Sequence, residues 1–177
     1  MEVYETERLR LANICIDNLK QVDQLMDDYD IISNNYDVPY PYYKGYAKEW
    51  FEKGKSGIEN GELVRWGIFE KRSNAIIGNI ELRINRKHNR AEVGYWIGKE
   101  YRNKRYCEES VRKVIEIGFQ VIKLNRIEAF SFSDNQISNK LLEKVGFSLE
   151  GELRQESLMI GKYRNTKVYG FLSEEYH

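Results

Sequence analysis

The chain is poor in the residues that build metal sites and covalent scaffolds. Cys15 and Cys107 are its only cysteines and His88 and His177 its only histidines, so neither a disulfide framework nor a zinc site is expected. A Ser-His-Asp arrangement is disfavoured too, because His88 lies in Asn85-Arg-Lys-His-Asn-Arg90, which reads as a polar hairpin turn. An excess of one charge is also missing. Lys plus Arg and Asp plus Glu stand at 28 each, so no global field recruits nucleic acid or an anionic membrane, and anion binding must be local. No apolar run is long enough to span a bilayer, and the start, Met1-Glu-Val-Tyr-Glu-Thr-Glu-Arg8, is charged where a signal peptide is apolar. A cytoplasmic location is expected. Both prolines, Pro39 and Pro41, fall among Tyr36, Tyr40, Tyr42, Tyr43 and Tyr46, so this stretch is no helix interior.

What is present fits one domain over residues 1–177, long enough for a real core. Leu9 and Leu11 alternate as in a strand, and Leu19, Val22, Met26 and Tyr29 then recur at helical spacing, with Asp17 as the expected N-cap. A second helix is read over residues 46–58. Strand patterns follow at 63–70, 75–84 and 90–98, separated by turn signals, and form an antiparallel meander. Val111, Val114, Ile115, Phe119 and Ile122 share one helical face, with Glu108 and Glu109 near its start. A strand at 125–132, a short helix at 138–145 stopped by Gly146, and strands at 148–160 and 166–173 complete the pattern.

The most informative stretch runs from Ala91 to Ser110, a strand leading through a basic loop into an amphipathic helix. N–H groups at a helix start lack intrahelical partners and the macrodipole adds positive character, so this arrangement holds a phosphate by main chain alone. Arg102, Lys104 and Arg105 add full charges there.

Several ordered pieces resemble one family. Thr6-Glu-Arg-Leu-Arg-Leu11, Ile77-Gly-Asn-Ile80, Ala91-Glu-Val-Gly-Tyr-Trp-Ile97, Leu124-Asn-Arg-Ile-Glu-Ala129 and Asp134-Asn-Gln-Ile-Ser138 come first. Leu142-Glu-Lys-Val-Gly-Phe147, Glu150-Gly-Glu-Leu-Arg154 and Tyr169-Gly-Phe-Leu172 follow. Together they resemble the GNAT superfamily of N-acetyltransferases, most closely its ribosomal-protein-alanine N-acetyltransferase branch, the RimJ/RimL type. The resemblance implies an α/β (α+β) fold: a twisted, mixed but mostly antiparallel sheet of about seven strands flanked by helices. The sheet is expected to splay beside strand 90–98 to admit acetyl-CoA as co-substrate, with no metal.

On the same resemblance, main-chain groups at Trp96 and Ile97 meet the pantetheine and thioester, and residues Arg102, Asn103, Lys104, Arg105, Tyr106 and Cys107 bind pyrophosphate. Asn135 matches a cofactor-binding position and Ser138 the position of a hydroxyl that reaches the departing sulfur; on their own these residues read as a turn and an N-cap. Glu92 and Glu81, on central strands, are the candidate bases. Tyr36, Tyr40, Tyr43 and Trp50 wall the acceptor, a primary amine such as a peptide N-terminus, a polyamine or an aminoglycoside, while several tyrosines serve only the core. Nucleic acid and membrane are not expected partners, and a homodimer is left open.

One departure stands out. In this branch the phosphate loop commonly reads Arg-Gly-Lys-Gly-Tyr-Ala-Thr-Glu-Ala; here it is Arg102-Asn-Lys-Arg-Tyr-Cys-Glu-Glu-Ser110, without either glycine. Either Arg105 replaces geometry with charge, or the chain is a degenerate relative kept as a non-catalytic binding or dimerisation module.

Overall fold

The computed structural model describes residues 2–177. Eight strands form one sheet: β1 (Tyr4–Glu5), β2 (Leu9–Ala12), β3 (Leu63–Glu70), β4 (Ile76–Asn85), β5 (Arg90–Ile97), β6 (Arg126–Phe132), β7 (Ser148–Met159) and β8 (Lys162–Leu172). Their order is β1-β2-β3-β4-β5-β6-β8-β7, antiparallel throughout except for the β5–β6 pair. The strand beyond the expected seven is the two-residue β1, too short for any periodicity to reveal.

Strand alternation sorts side chains into two layers. Leu82, Val93, Ile97, Ile127 and Tyr169 face α4 (Tyr106–Glu116) and α5 (Gln136–Val145), with Val111, Val114 and Leu142 completing that core. Phe69, Ile76 and Trp96 meet α1 (Leu19–Met26), α2 (Tyr29–Ser33) and α3 (Tyr46–Glu59) on the other side.

Three local expectations are corrected. A 3₁₀ turn over Ile16–Asn18 precedes α1, so Asp17 is not its cap. Tyr29 does not continue α1 but opens the separate α2, whose N-cap is Asp28, accepting from the Ile31 N–H at 3.2 Å. Helix α5 starts two residues earlier than expected, capped by the Asn135 Oδ1, which accepts from the Ser138 N–H at 3.2 Å; Ser138 is therefore inside the first turn and not the cap.

Candidate active site

Strands β5 and β6 pair only from Arg90 to Glu92 against Arg126 to Glu128. Past that point they diverge, leaving the inner edges of 93–97 and 129–132 unpaired with each other. The Gly98 N–H donates to the Ile77 carbonyl at 2.9 Å, so by the alternation of an antiparallel ladder the Trp96 main chain is also spent on β4, while Tyr95 and Ile97 turn theirs toward the opening. This corrects the expectation for Trp96: its backbone is used within the sheet, and its side chain is buried against α1–α3. Ile97 does offer its carbonyl outward, where Arg102 Nε donates to it at 3.2 Å.

The loop after β5 leads into α4 with two left-handed residues, Asn103 and Arg105, each at φ 62°. These are the positions where the resembling sequences carry glycine, and Arg105 bears the cost of a β-carbon there, about 1–2 kcal/mol. No acceptor within the protein takes the N–H groups of residues 103–108 among the described residues, and the first acceptor after them is the Arg105 carbonyl, which receives the Glu109 N–H at 3.1 Å. A row of free N–H groups at a helix start is a site for phosphate oxygens.

The acids that open α4 do not oppose that role. Glu108 is held at 2.6 Å by Lys144 and at 3.3 Å by Arg112, which keep its carboxyl below the usual range. Glu109 turns to Arg8 at 2.7 Å. Among the loop's own cations, Arg105 is exposed with no partner among the described residues, and Lys104 lies over the Tyr101 ring. Arg102 is engaged elsewhere: its guanidinium binds Asp28 and, at 2.7 Å, Asp30 of α2. Tyr106 points away, donating to Glu70 at 2.6 Å, so only its N–H faces the loop. Burial pushes the Cys107 thiol up to about 12, leaving it no nucleophile.

On the far side of the opening, the half-buried Ser138 of α5 stands 2.9 Å from the Tyr95 hydroxyl of β5. The Asn139 Nδ2 holds the end of β6 by donating to the Phe132 and Ser133 carbonyls, each at 3.2 Å. Its Oδ1 and the Ser131 hydroxyl are buried without partners, and buried polar atoms left open beside a cleft suit a ligand rich in amides. An acyl-pantetheine arm is such a ligand, and its pyrophosphate would reach the free N–H row.

The two candidate bases differ. Glu81 is buried with one oxygen 2.7 Å from Arg65 and the other 2.8 Å from Arg83. Glu92 meets only the other terminal nitrogen of that Arg83 guanidinium, at 3.4 Å, and burial raises its proton affinity against the pull of the arginine. It lines a concavity of about 250 Å³ with Glu62, Arg83, Asn85, Arg90 and Glu128. It stands three positions before Tyr95, roughly 10 Å along the strand.

Of the expected acceptor wall, Trp50 is misplaced. It is buried, with the Arg65 guanidinium 3.9 Å over its ring and bonded to its carbonyl, because cross-strand Arg65 and Glu81 reach up into α3. Tyr36, Tyr40 and Tyr43 are exposed. Tyr36 packs edge-on to Phe132, 5.0 Å between centroids, with its hydroxyl 3.2 Å from Thr166. Tyr46 and Tyr42 belong to the core layer, Tyr42 donating to Asp23 at 2.8 Å.

Sequence reasoning missed three groups, Arg164, Glu156 and Tyr95. Arg164 stacks 3.7 Å over Phe132 and binds Asp134 and the Ser33 carbonyl, tying β8 to the end of α2. A bulge between Leu153 and Ser157, with Gln155 at φ 51°, aims Glu156 at Thr166, 3.1 Å away. Only Tyr95 left a signal, the alternation that sets it with Val93 and Ile97 on the α4–α5 side.

The family described as acetyltransferase (GNAT) domain matches residues 8–148. The chain belongs to the GNAT acetyltransferase family. It is 40% identical to uncharacterized N-acetyltransferase YoaA of Bacillus subtilis over 62% of each chain, and 29% identical to uncharacterized N-acetyltransferase p20 of Bacillus licheniformis over 99% of each. Spermidine N(1)-acetyltransferase of Escherichia coli is 35% identical over 66% of this chain and 68% of its own. Among solved structures, spermidine N-acetyltransferase from Vibrio cholerae in complex with CoA and spermine aligns with a TM-score of 0.85 at 24% identity, covering 97% and 99% of the two chains. RimL, a ribosomal L7/L12 alpha-N-protein acetyltransferase in complex with coenzyme A, gives 0.87 at 17% identity over 97% and 98%. Transfer of an acetyl group to an amine is the chemistry of this family, and the eight-stranded sheet is its fold.

Proposed function

We propose that the protein is an acetyl-CoA-dependent N-acetyltransferase that passes the acetyl group directly to a primary amine, a polyamine or a protein N-terminus. The observation that carries this reading is the parting of β5 and β6 between a row of free loop N–H groups and the Ser138 hydroxyl. Spermidine, spermine and ribosomal proteins appear in the names of relatives and of proteins with this fold, which supports amine acceptors of either kind.

Acetyl-CoA supplies the thioester: the amine lone pair forms the new C–N bond, the C–S bond breaks with its pair on sulfur, and the proton nitrogen loses is matched by one sulfur gains. The N–H groups of 103–108 and the free Arg105 guanidinium hold the pyrophosphate. Outward groups of Tyr95 and Ile97, with Asn135 at the α5 cap, orient the acyl arm, which converts a bimolecular encounter into a held one. Ser138 donates to the sulfur. Glu92 takes the amine proton through intervening water, since about 10 Å of strand separates it from Tyr95 and the Ser138 beside it; Glu81, clasped by two arginines, holds the sheet face together. Tyr36, Tyr40 and Tyr43 form the acceptor wall, and Arg102 braces it from behind through α2.

The test is calorimetric binding of acetyl-CoA, followed by CoA release with spermidine, an aminoglycoside and N-terminal peptides as acceptors. Micromolar binding and turnover with one amine class is expected; absence of acetyl-CoA binding would leave the non-catalytic module as the better reading.

A further inference from the structure

We propose that Tyr95 is a positioning residue for the acetyl transfer: its phenol donates to the Ser138 oxygen and so aims the Ser138 proton at the departing sulfur. The inference rests on the reading of Ser138 above and deepens it.

The geometry comes from three elements. Strand β5 projects Tyr95 onto the α4–α5 side, where it packs against the core formed by Val111, Val114 and Leu142. Ser138 lies in the first turn of α5, and its N–H is taken by Asn135. The two hydroxyls meet at 2.9 Å, and neither has another side-chain partner among the described residues. A hydroxyl carries one proton and two lone pairs, so a single contact leaves its direction undetermined unless the partner's role is fixed. A phenol is the stronger acid of this pair and takes the donor role. Burial keeps Tyr95 protonated well past the ordinary phenol range. Ser138 is thereby the acceptor and its own proton is the one left over. Cys107 and Tyr169 also face Tyr95; both are held in their neutral forms and carry no charge to compete.

The hydroxyl pair also spans the opening from β5 to α5, which gives a rival explanation: Tyr95 could serve only to tie the cleft while no ligand is bound. The two differ in what they do to rate and affinity. If Tyr95 orients Ser138, removing its hydroxyl leaves acetyl-CoA binding nearly unchanged and lowers the rate of a step in which charge develops on sulfur. If it is a tether, removal relieves competition and tightens binding.

The experiment measures Tyr95→Phe, Ser138→Ala and the double variant for kcat, KM for acetyl-CoA, calorimetric affinity for CoA, melting temperature, and the titration of the bound CoA thiol by its ultraviolet thiolate absorbance. The expected result is a fall in kcat of about tenfold or more for Tyr95→Phe, with KM and melting temperature close to the parent. The bound thiol should titrate higher than in the parent. The double variant should be no slower than Ser138→Ala, because both changes remove one unit of function. Unchanged kcat with tighter CoA binding overturns the proposal in favour of the tether, and rate losses that multiply in the double variant overturn it by giving Tyr95 a separate role. Parental kcat in Ser138→Ala strikes the underlying reading instead, whereas a slow Ser138→Ala beside a parental Tyr95→Phe strikes this inference alone. If Tyr95→Phe folds poorly, 3-fluorotyrosine placed at 95 keeps the ring and strengthens the donor; the bound thiol should then titrate lower, and an unmoved titration refutes the orientation.

Discussion

Arg105→Gly separates strain from charge in the phosphate loop. Arg105 holds φ at 62° and begins the first turn of α4. A side chain in that region costs about 1–2 kcal/mol, which glycine removes. Glycine also loosens the unfolded chain, offsetting roughly 0.5–1 kcal/mol of the gain. The net should be a stabilisation of about 1 kcal/mol, seen as a rise of about 2–4 °C in melting temperature for a domain of this size. Affinity should move the other way. The Arg105 guanidinium is exposed without a partner among the described residues, so it is free to meet a phosphate, and a charge-assisted contact is worth about 1.5–3 kcal/mol, roughly ten- to a hundredfold in Kd. Thermal unfolding alone and calorimetry with acetyl-CoA at low and high salt measure both halves. The expected pattern is a more stable protein that binds more weakly and with less salt dependence. Tighter binding would mean that the side chain obstructs the loop, and an unaltered salt dependence would remove its charge from the phosphate site.

Ser138→Ala should lower kcat by roughly 10²–10⁴-fold if the hydroxyl serves the leaving sulfur, with little loss of stability, since Asn135 is the cap; Asn135→Ala should cost about 1 kcal/mol in denaturant melts. Arg102→Ala should loosen α2, read as faster amide exchange at Ile31 and Ile32, more than it weakens acetyl-CoA binding, because Asp28 and Asp30 hold the guanidinium. The Lys144 bond, then Arg112, holds the Glu108 carboxyl below its ordinary range. Its contribution is therefore present above the unfolded-state value and lost as pH falls through the folded one, and Glu108→Gln should flatten that part of an acid melting series. An equally steep acid limb in Glu108→Gln would assign the pH dependence to other carboxylates.

Strands β3–β5 were legible because each is bounded by local turn chemistry: Arg72-Ser-Asn74 and Asn85–Asn89 mark their ends to within a residue, whereas β8 begins at Lys162, four residues before the expected start. The resemblance also marked Arg105 as a residue in a glycine's place, and its φ agrees. What the sequence hid was set by partners far along the chain. Trp50 is buried because Arg65, a cross-strand neighbour of Glu81, stacks on it. Arg102 is diverted by carboxylates more than seventy positions earlier. The aim of Glu156 depends on a bulge that no alternation of apolar residues encodes.

The place of β8 has a consequence for how the chain acquires its shape. The strand formed from nearly the last residues, Lys162–Leu172, is not an edge but lies between β6 and β7 and pairs with both. Its Tyr169 is fully enclosed, and its Arg164 reaches back to the end of α2. During synthesis, β6 therefore waits with an open edge until the C-terminal segment is available, and β7 has no sheet to join. Such long-range closure is slow and leaves an aggregation-prone edge exposed meanwhile. Chains shortened into β8 should accumulate in aggregates instead of as smaller soluble domains, and the acceptor side of the cleft stays incomplete until Arg164 and Thr166 of β8 reach Ser33 and Tyr36.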